Sequence, residues 1–323
     1  MAVKALQTLP EAARKKARRR AQPSWCNPML ATLSHEPFSD PDWLFEPKLD
    51  GIRCLAFRKD RHVELFSRNQ LSLNGGFPTL IPALQAQAAS DFIVDGEIVA
   101  MESGVSRFEL LQQRARRNVR VFYYLFDVLY IDGHDVTQLA LIDRKQLLHD
   151  AFSFKDPLRY SRHREAAGEA YFSEACRNGW EGLIAKRAAS IYVHQRSKDW
   201  LKLKCENRQE FVIVGYTAPK GSRVGLGALL LGYYDGDALR YAGKVGTGFD
   251  TATLRSLHKR LSGTEHDHPT VDGAKEPGAH WVRPTSVAQV AFGEWTRDGK
   301  LRHPRYLGLR TDKNPKDVVR ESR

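Results

Sequence analysis

Lys48 lies in the run Glu46-Pro47-Lys48-Leu49-Asp50-Gly51-Ile52-Arg53, which places an amine, two carboxylates and a guanidinium within eight residues. A lysine amine attacks an electrophile only when it is neutral, and that requires desolvation or neighbouring cations. Arg53 is the nearest cation in sequence. Asp50-Gly51 predicts a turn, with Lys48 at the mouth of a loop between strands. A surface turn with a charged rim has the same spelling, so this stretch alone does not decide the chemistry.

Further candidates follow in order along the chain. Ser67-Arg68-Asn69 ends a strand-like run. Asp95-Gly96-Glu97 sits inside an apolar strand, where carboxylates are costly unless paired or bound to a metal. In residues 124–127, Phe126 precedes an acid and offers a stacking platform for a planar base. Glu181 opens Glu181-Gly182-Leu183-Ile184-Ala185-Lys186-Arg187 at a strand start. Trp200-Leu201-Lys202-Leu203-Lys204 alternates, so Lys202 and Lys204 share one face and the leucines the other. Two lysines on one face repel unless an anion lies between them. Each signal has an ordinary structural reading; their joint occurrence in this order does not.

Short apolar runs separated by turn signals must position these groups. Residues 91–100 read as a strand broken at Asp-Gly, and residues 121–130 as a long aromatic and β-branched strand stopped by Asp132-Gly133. Residues 182–187 and 200–204 are shorter strands. Residues 143–152 are predicted to form a helix with Leu147, Leu148 and Phe152 on one face. Strands with intervening helices indicate an α+β domain of antiparallel sheets. Beyond residues 206–209 the character changes. Strands at 211–216, 229–234 and 239–244, a hairpin at Asp235-Gly236-Asp237, a helix carrying Leu254, Leu257 and Leu261 that stops at Gly263, a loop at 262–280 and a strand region at 281–295 fit a small Greek-key barrel such as an OB-fold.

Charge is unevenly spread. The 323 residues carry 50 basic and 38 acidic side chains, a net +12. Residues 1–20 hold seven of the basic residues (Lys4, Arg14, Lys15, Lys16, Arg18, Arg19, Arg20) against Glu11 alone, half of the excess. Such an arm is attracted to a polyanion. Arg114, Arg116, Arg117 and Arg120 form a second basic group. No apolar run approaches the ~20 residues of a membrane helix, and residues 1–20 lack a secretory core, which predicts a cytoplasmic, nucleoid-associated protein. The cysteines (Cys26, Cys54, Cys176, Cys205) are scattered and read as ordinary thiols rather than a disulfide or zinc framework.

From Lys48 to Lys204 the ordered motifs resemble the covalent nucleotidyltransferase superfamily of DNA ligases, RNA ligases and mRNA capping enzymes. The resemblance is greatest to the bacterial ATP-dependent DNA ligases of the end-joining (LigD-type) group and runs from about Pro23. The second domain supports it through GALLLG (227–232), GKVGTG (243–248), Glu294-Trp295-Thr296 and LRHPRYLGLRTDK (301–313). It implies a basic flexible arm (1–22), an adenylation domain with ATP-grasp-like antiparallel sheets (23–206) and an OB-fold domain (207–323). In roles, it implies that Lys48 attacks the α-phosphorus of ATP and forms lysyl–AMP. Glu46 would lie near the adenine amino group, and Arg53 and Glu97 at the ribose or phosphate. Phe126 would stack on adenine, Lys202 and Lys204 would grip the α-phosphate, and Arg68 would meet a phosphate of the nick. Glu97 and Glu181 would hold Mg2+ or Mn2+. Arg310 and Lys313 would orient the leaving pyrophosphate, with Asp312 fixing their geometry, and the barrel would rotate about the segment near Asn207.

The resemblance also implies a monomer acting on duplex DNA with nicks or ends, in double-strand-break repair with a Ku-like end-binding partner and without membrane attachment. Gln195, in Tyr-Val-His-Gln-Arg at 192–196, departs from the small residue expected there. The 20–40 residues before the motifs are too few for a DNA-encircling domain, so the basic arm is expected to substitute in part; Met1 favours a stand-alone enzyme over an excised module. The competing readings are an RNA ligase or capping-type enzyme, and a non-catalytic basic DNA-binding protein.

Overall fold

The computed structural model describes residues 6–34, 36–117, 119–205 and 207–321, without the side chains of residues 115–117. Lys4 of the arm and the side chains of Arg116 and Arg117 lie outside the described residues. The chain divides into two compact units, Met1–Cys205 and Glu206–Ser322.

Two sheets build the first unit. The larger orders its main strands as Arg18–Arg19, His134–Asp135, Val121–Ile131, Phe92–Glu102, Ile52–Lys59 and His62–Ser67. The smaller orders Arg164–Glu165, Trp43–Pro47, Gly182–Arg187, Arg196–Lys204 and Leu30–Ser34. Most pairs in both sheets are antiparallel, as expected, with two parallel exceptions. Leu158–Tyr160 runs parallel to Val121–Ile131, and Leu30–Ser34 parallel to Arg196–Lys204.

Alternation sorts the side chains. Cys54, Ala56, Val94, Ile98, Tyr123 and Leu125 enter one core, with Leu80, Leu84, Leu147 and Leu148 from the helices Leu80–Gln85 and Leu141–Ala151. The opposite face contributes Leu55, Phe57, Ile93 and Phe126 to a second cluster, where Leu44 and Trp200 of the smaller sheet and Tyr192 of the segment before Arg196–Lys204 meet them. The far face of the smaller sheet (Phe45, Leu183, Ala185, Leu203) packs on Tyr171 and Ala175 of the helix Gly168–Arg177. Residues 53, 95, 97, 46, 186, 200, 202 and 204 fall in the registers that point away from these outer cores.

The strand Phe92–Glu102 is not broken at Asp95-Gly96. It runs through, and the pairing with Val121–Ile131 shifts register there instead. Nor does Gly51 serve a left-handed turn: a Cβ on it would stand 2.2 Å from the carbonyl oxygen of Ile98, so the need is for close approach of two backbones.

Residues 6–20 are not a free arm. Leu6, Leu9 and Ala13 are buried in the core of the first unit. Arg18 and Arg19 pair with Asp135 and His134, and Tyr130 Oη donates to Arg20 O at 3.0 Å. Apolar spacing at 6, 9 and 13 gives the segment a face to bury, which the density of positive charge masked in the sequence. The thiol expectation is also corrected, since Cys176 and Cys205 form a disulfide and only Cys26 and Cys54 are free. Their separation of 29 residues carries no sequence signal; folding brings the end of the helix Gly168–Arg177 beside the end of the strand Arg196–Lys204.

The second unit is the antiparallel domain expected of an OB-type fold, with two long strands, Asn207–Thr217 and Ala279–Phe292. Its sheet orders Ala238–Val245, Leu229–Asp235, Asn207–Thr217, Ala279–Phe292 and Glu265–His266, with Arg305–Leu309 also on Ala279–Phe292. The helix Thr251–Ser262, capped by Asp250 accepting from Thr253 N, covers one face with Leu254, Leu257 and Leu261. Pro284 cannot donate to a ladder, and Ala279–Phe292 skips register between Trp281 and Ser286. The 262–280 region is less irregular than expected: Glu265–His266 pairs with Val282 and Trp281, and Val271 is buried.

Candidate active site

Lys48 leaves the strand Trp43–Pro47, and its amide donates to Gly182 O at 2.9 Å. That strand pairs with Gly182–Arg187 so that Pro47 faces Leu183, which brings Glu181 to Lys48. Gly182 has φ +145°, and a Cβ there would stand 1.9 Å from Leu203 O, so only glycine makes this approach. Lys48 Nζ is 2.5 Å from Glu181 Oε1; the side chains are 18% and 3% exposed, which leaves the amine reachable and the acid enclosed.

The protonation state differs from the sequence expectation. Burial disfavours the ammonium, but Glu181, then Asp50 and Glu97, outweigh it and hold the amine above the ordinary lysine range. In the structure Lys48 is therefore a paired ammonium and not a neutral amine. Arg53 does not act as its neighbouring cation. It donates to both oxygens of Asp95 at 2.5 Å, and to Met29 O at 3.2 Å, while Tyr192 Oη donates to Asp95 Oδ2 at 2.6 Å. Asp95 is the costly strand carboxylate that the sequence flagged, and its partner is a residue assigned elsewhere. Glu97 faces Arg53 across the strand pair.

A second constellation surrounds Glu46. Its Oε1 accepts from Lys145 Nζ at 2.7 Å; its Oε2 accepts from Ser161 Oγ at 2.9 Å and lies 3.0 Å from Lys186 Nζ. All three charged side chains are nearly inaccessible. Lys186 Nζ lies 4.2 Å from the Phe126 ring centre and 4.3 Å from that of Trp200, and Arg53 Cζ lies 4.6 Å from Phe126. Burial, opposed by Glu46 and reinforced by Lys145, pushes the Lys186 amine down to about 8. Behind Phe126, Asp127 takes a two-point contact from Arg144 at 2.7 and 2.9 Å, and Arg144 also donates to Leu139 O and Ser190 O. Neither side chain of that pair is exposed at all.

Lys202 and Lys204 occupy the same face of Arg196–Lys204 as buried Trp200, paired with Ile184 and Gly182 of the strand that follows Glu181. Glu97, Glu46, Arg53 and Phe126, on strands, and Lys48 and Glu181, each next to a strand end, thus come from elements whose inner faces share this region. Arg68 is half-buried in a turn after His62–Ser67 where Ser67 Oγ accepts from Asn69 N and Leu71 N.

In the second unit Arg310 is buried and held in a two-point contact by Asp312 at 2.9 and 2.8 Å, with Gln289 Oε1 at 3.1 Å. Lys313 Nζ lies 3.2 Å from Glu210 Oε1, and Arg310 lies 3.7 Å from the same oxygen.

Lys145, Lys186, Arg144, Ser161 and Glu210 were not singled out from sequence. The signal that finds all but Glu210 is the isolated carboxylate in an apolar strand: Glu46 and Asp127 each require a buried cation.

The donors suit a divalent cation with a polyphosphate. Among the described residues no group of three or more His, Cys, Asp or Glu is arranged for a metal. Glu181 Oε2, however, is buried without a hydrogen-bond partner, and Glu97 is close enough to act on Lys48. Mg2+ is commonly held by one or two carboxylates plus phosphate oxygens rather than a protein cage.

A family model described as "ATP dependent DNA ligase domain" matches residues 28–204, and one described as "ATP dependent DNA ligase C terminal region" matches residues 222–313. The chain is 40% identical over 311 residues to the multifunctional non-homologous end joining protein LigD of Pseudomonas aeruginosa, covering 93% of this chain and 37% of that one. It is 36% identical over 302 residues to the LigD of Mycobacterium tuberculosis H37Rv, covering 91% and 40%. The chain thus spans about two-fifths of the length of these relatives. Among solved structures, mycobacterial DNA ligase D complexed with ATP and MES is similar with TM-score 0.67 and 34% identity, over 91% of this chain and 98% of that chain.

Proposed function

The chain belongs to the ATP-dependent DNA ligase family, and we propose that it joins 5′-phosphate and 3′-hydroxyl ends of duplex DNA through an AMP carried on Lys48. The observation that carries this reading is the Lys48–Glu181 pair beside Glu97 and Asp50, on strands whose neighbours present Lys202 and Lys204.

In the first step Lys48 Nζ bonds to the α-phosphorus of ATP and the bond to pyrophosphate breaks. The attacking amine must first lose the proton that Glu181 stabilises. Glu181 and Glu97 would hold a magnesium or manganese ion, which would supply positive charge there and so lower the affinity of the amine for that proton. Lys202 and Lys204 neutralise phosphate oxygens, since phosphoryl transfer depends chiefly on alignment and charge stabilisation. The Phe126 and Lys186 pocket, with Glu46 fixed between two lysines, receives the purine. Arg53, locked by Asp95, forms its wall near the ribose. In later steps the AMP passes to a 5′-phosphate, Arg68 meets a phosphate of the break, and the 3′-hydroxyl displaces AMP. Arg310 and Lys313, set by Asp312 and Glu210, orient pyrophosphate in step one.

On this reading the protein is a monomer of the nucleoid-containing cytoplasm, acts in end joining and works beside a Ku-like end-binding protein. No helix among the described residues is long and apolar enough to cross a membrane. Incubation with ATP or GTP and magnesium, then with nicked DNA or nicked RNA, tests the proposal. An ATP-dependent adduct and sealed DNA are expected. A GTP-only adduct would assign the chain to capping-type chemistry. Sealing of RNA alone would make it an RNA ligase, and DNA retention without an adduct would leave only a binding protein.

A further inference from the structure

The basic segment near the start of the chain is built into the fold, and the reading above does not use it. Leu6, Leu9 and Ala13 are buried and Ala17 packs against the same core. These anchors turn the charged side chains outward: Arg14, Lys15, Lys16, Arg18, Arg19 and Arg20 are all exposed. Two members of the run are neutralised locally. Lys15 pairs with Glu11 at 2.8 Å, and Arg20 with Asp135 at 2.9 Å. Among the described residues, no acid forms an ion pair with Arg14, Lys16, Arg18 or Arg19. Four like charges within six residues repel one another, so holding them on a docked backbone carries a standing cost that an external polyanion removes.

Their position favours one polyanion. Arg18–Arg19 forms the terminal strand of the larger sheet and lies two strands from Val121–Ile131, which carries Phe126. Arg18 pairs with Asp135, and Asp135 with Tyr130, four residues along the strand from Phe126. Arg14 follows anchors buried on the other face of that sheet from Phe126; measured in the plane of the sheet, with strand spacing of about 4.8 Å and a rise of about 3.3 Å per residue, Arg18 lies roughly 15–20 Å from Phe126. That is about half a turn of B-DNA, whose turn is roughly 34 Å, and a duplex offers one phosphate charge per roughly 1.7 Å of axis.

We propose that Arg14, Lys16, Arg18 and Arg19 form a fixed phosphate-binding platform that grips the duplex about half a helical turn from the break. The platform is sequence-independent, because it reads backbone charge and presents no group placed for base edges. It rests on the ligase reading, which the following experiment tests separately.

The experiment compares the full chain with a variant in which these four residues are glutamine. The substituted side chains are exposed and the anchors at 6, 9, 13 and 17 are kept; equal thermal melting of the two proteins checks the fold. Binding to a nicked 40-mer duplex is measured from 50 to 300 mM salt. If each cation meets a phosphate, the slope of log K against log salt flattens by about 0.9 per lost contact, or about 2–4 in all. Lysyl–AMP formation from ATP is expected to change less than twofold. An unchanged salt slope overturns the platform, and so does equal binding to nicked duplex combined with lost binding to vesicles rich in anionic lipid, which would assign the patch to a membrane surface. Failure of the unmodified chain to form any adduct would instead count against the ligase reading.

Discussion

Replacing Lys186 with methionine isolates the cost of keeping a cation between Phe126, Trp200 and Glu46. The folded protein holds this amine at about 8, chiefly through burial, against an ordinary 10.5 in the unfolded chain. Below pH 8 both states carry the proton and the folded state bears the full penalty. Between about pH 8 and 10.5 the unfolded state binds more protons, so stability rises with pH across that window. At about 1.36 kcal/mol per pH unit, the window corresponds to roughly 3 kcal/mol. For a unit of this size that is roughly 6–12 °C in melting temperature. Methionine keeps most of the volume and removes the titration. The assay is calorimetry of both proteins at pH 7.5, 9 and 10.5, following the transition of the first unit. The melting temperature of the unsubstituted protein is expected to gain on that of the variant by the stated amount as pH rises, whatever the other groups contribute to both. A difference that stays constant across the series would show that Glu46 compensates the buried ammonium fully, and would refute the reasoning.

Other expectations follow from the same contacts. Arg144→Met leaves Asp127 buried without its two-point partner and is expected to destabilise the first unit by about 3–5 kcal/mol; a paired Arg144→Met, Asp127→Leu protein recovers most of this in urea unfolding. Glu181→Gln removes the carboxylate that holds the Lys48 proton. An amine-acylating reagent should modify Lys48 at lower pH in this variant, while lysyl–AMP formation with ATP and magnesium falls by at least about a hundredfold, a loss of roughly 3 kcal/mol of transition-state stabilisation. Thiol titration of the denatured, unreduced protein should find two free cysteines. Reduction of Cys176–Cys205, which closes a 29-residue separation, should cost about 3–4 kcal/mol in the chain-entropy picture.

The sequence made the strands legible wherever one periodicity dominated. Lys202 and Lys204 declared their shared face through alternation with Leu201 and Leu203, and Leu254, Leu257 and Leu261 declared their helix. It did not reveal which charges would meet. Arg144 and Lys145 are adjacent in a helix legible only through Leu147, Leu148 and Phe152, yet both are buried while Ile142 is 39% exposed. The reversal arises because Glu46 and Asp127, on distant strands, can be buried only with cations beside them. Arg53 was misread for a related reason. Its nearness in sequence to Lys48 suggested electrostatic help for that amine, but the strand geometry aims it at Asp95. Asp50-Gly51 resembled turn chemistry because a tight turn and a close backbone approach both demand glycine. The docking of residues 6–20 was hidden because the three buried apolar side chains, Leu6, Leu9 and Ala13, were outweighed by seven charges.

The central claim is that Lys48, though an ammonium in the resting protein, is the residue that carries AMP. It is tested most directly by incubating the full chain with ATP and magnesium, measuring the intact mass, and mapping the added AMP by peptide analysis beside a Lys48→Ala variant. One AMP on Lys48, absent from the variant, is expected. AMP on Lys186 or another lysine, or an undiminished adduct in the variant, would contradict the account.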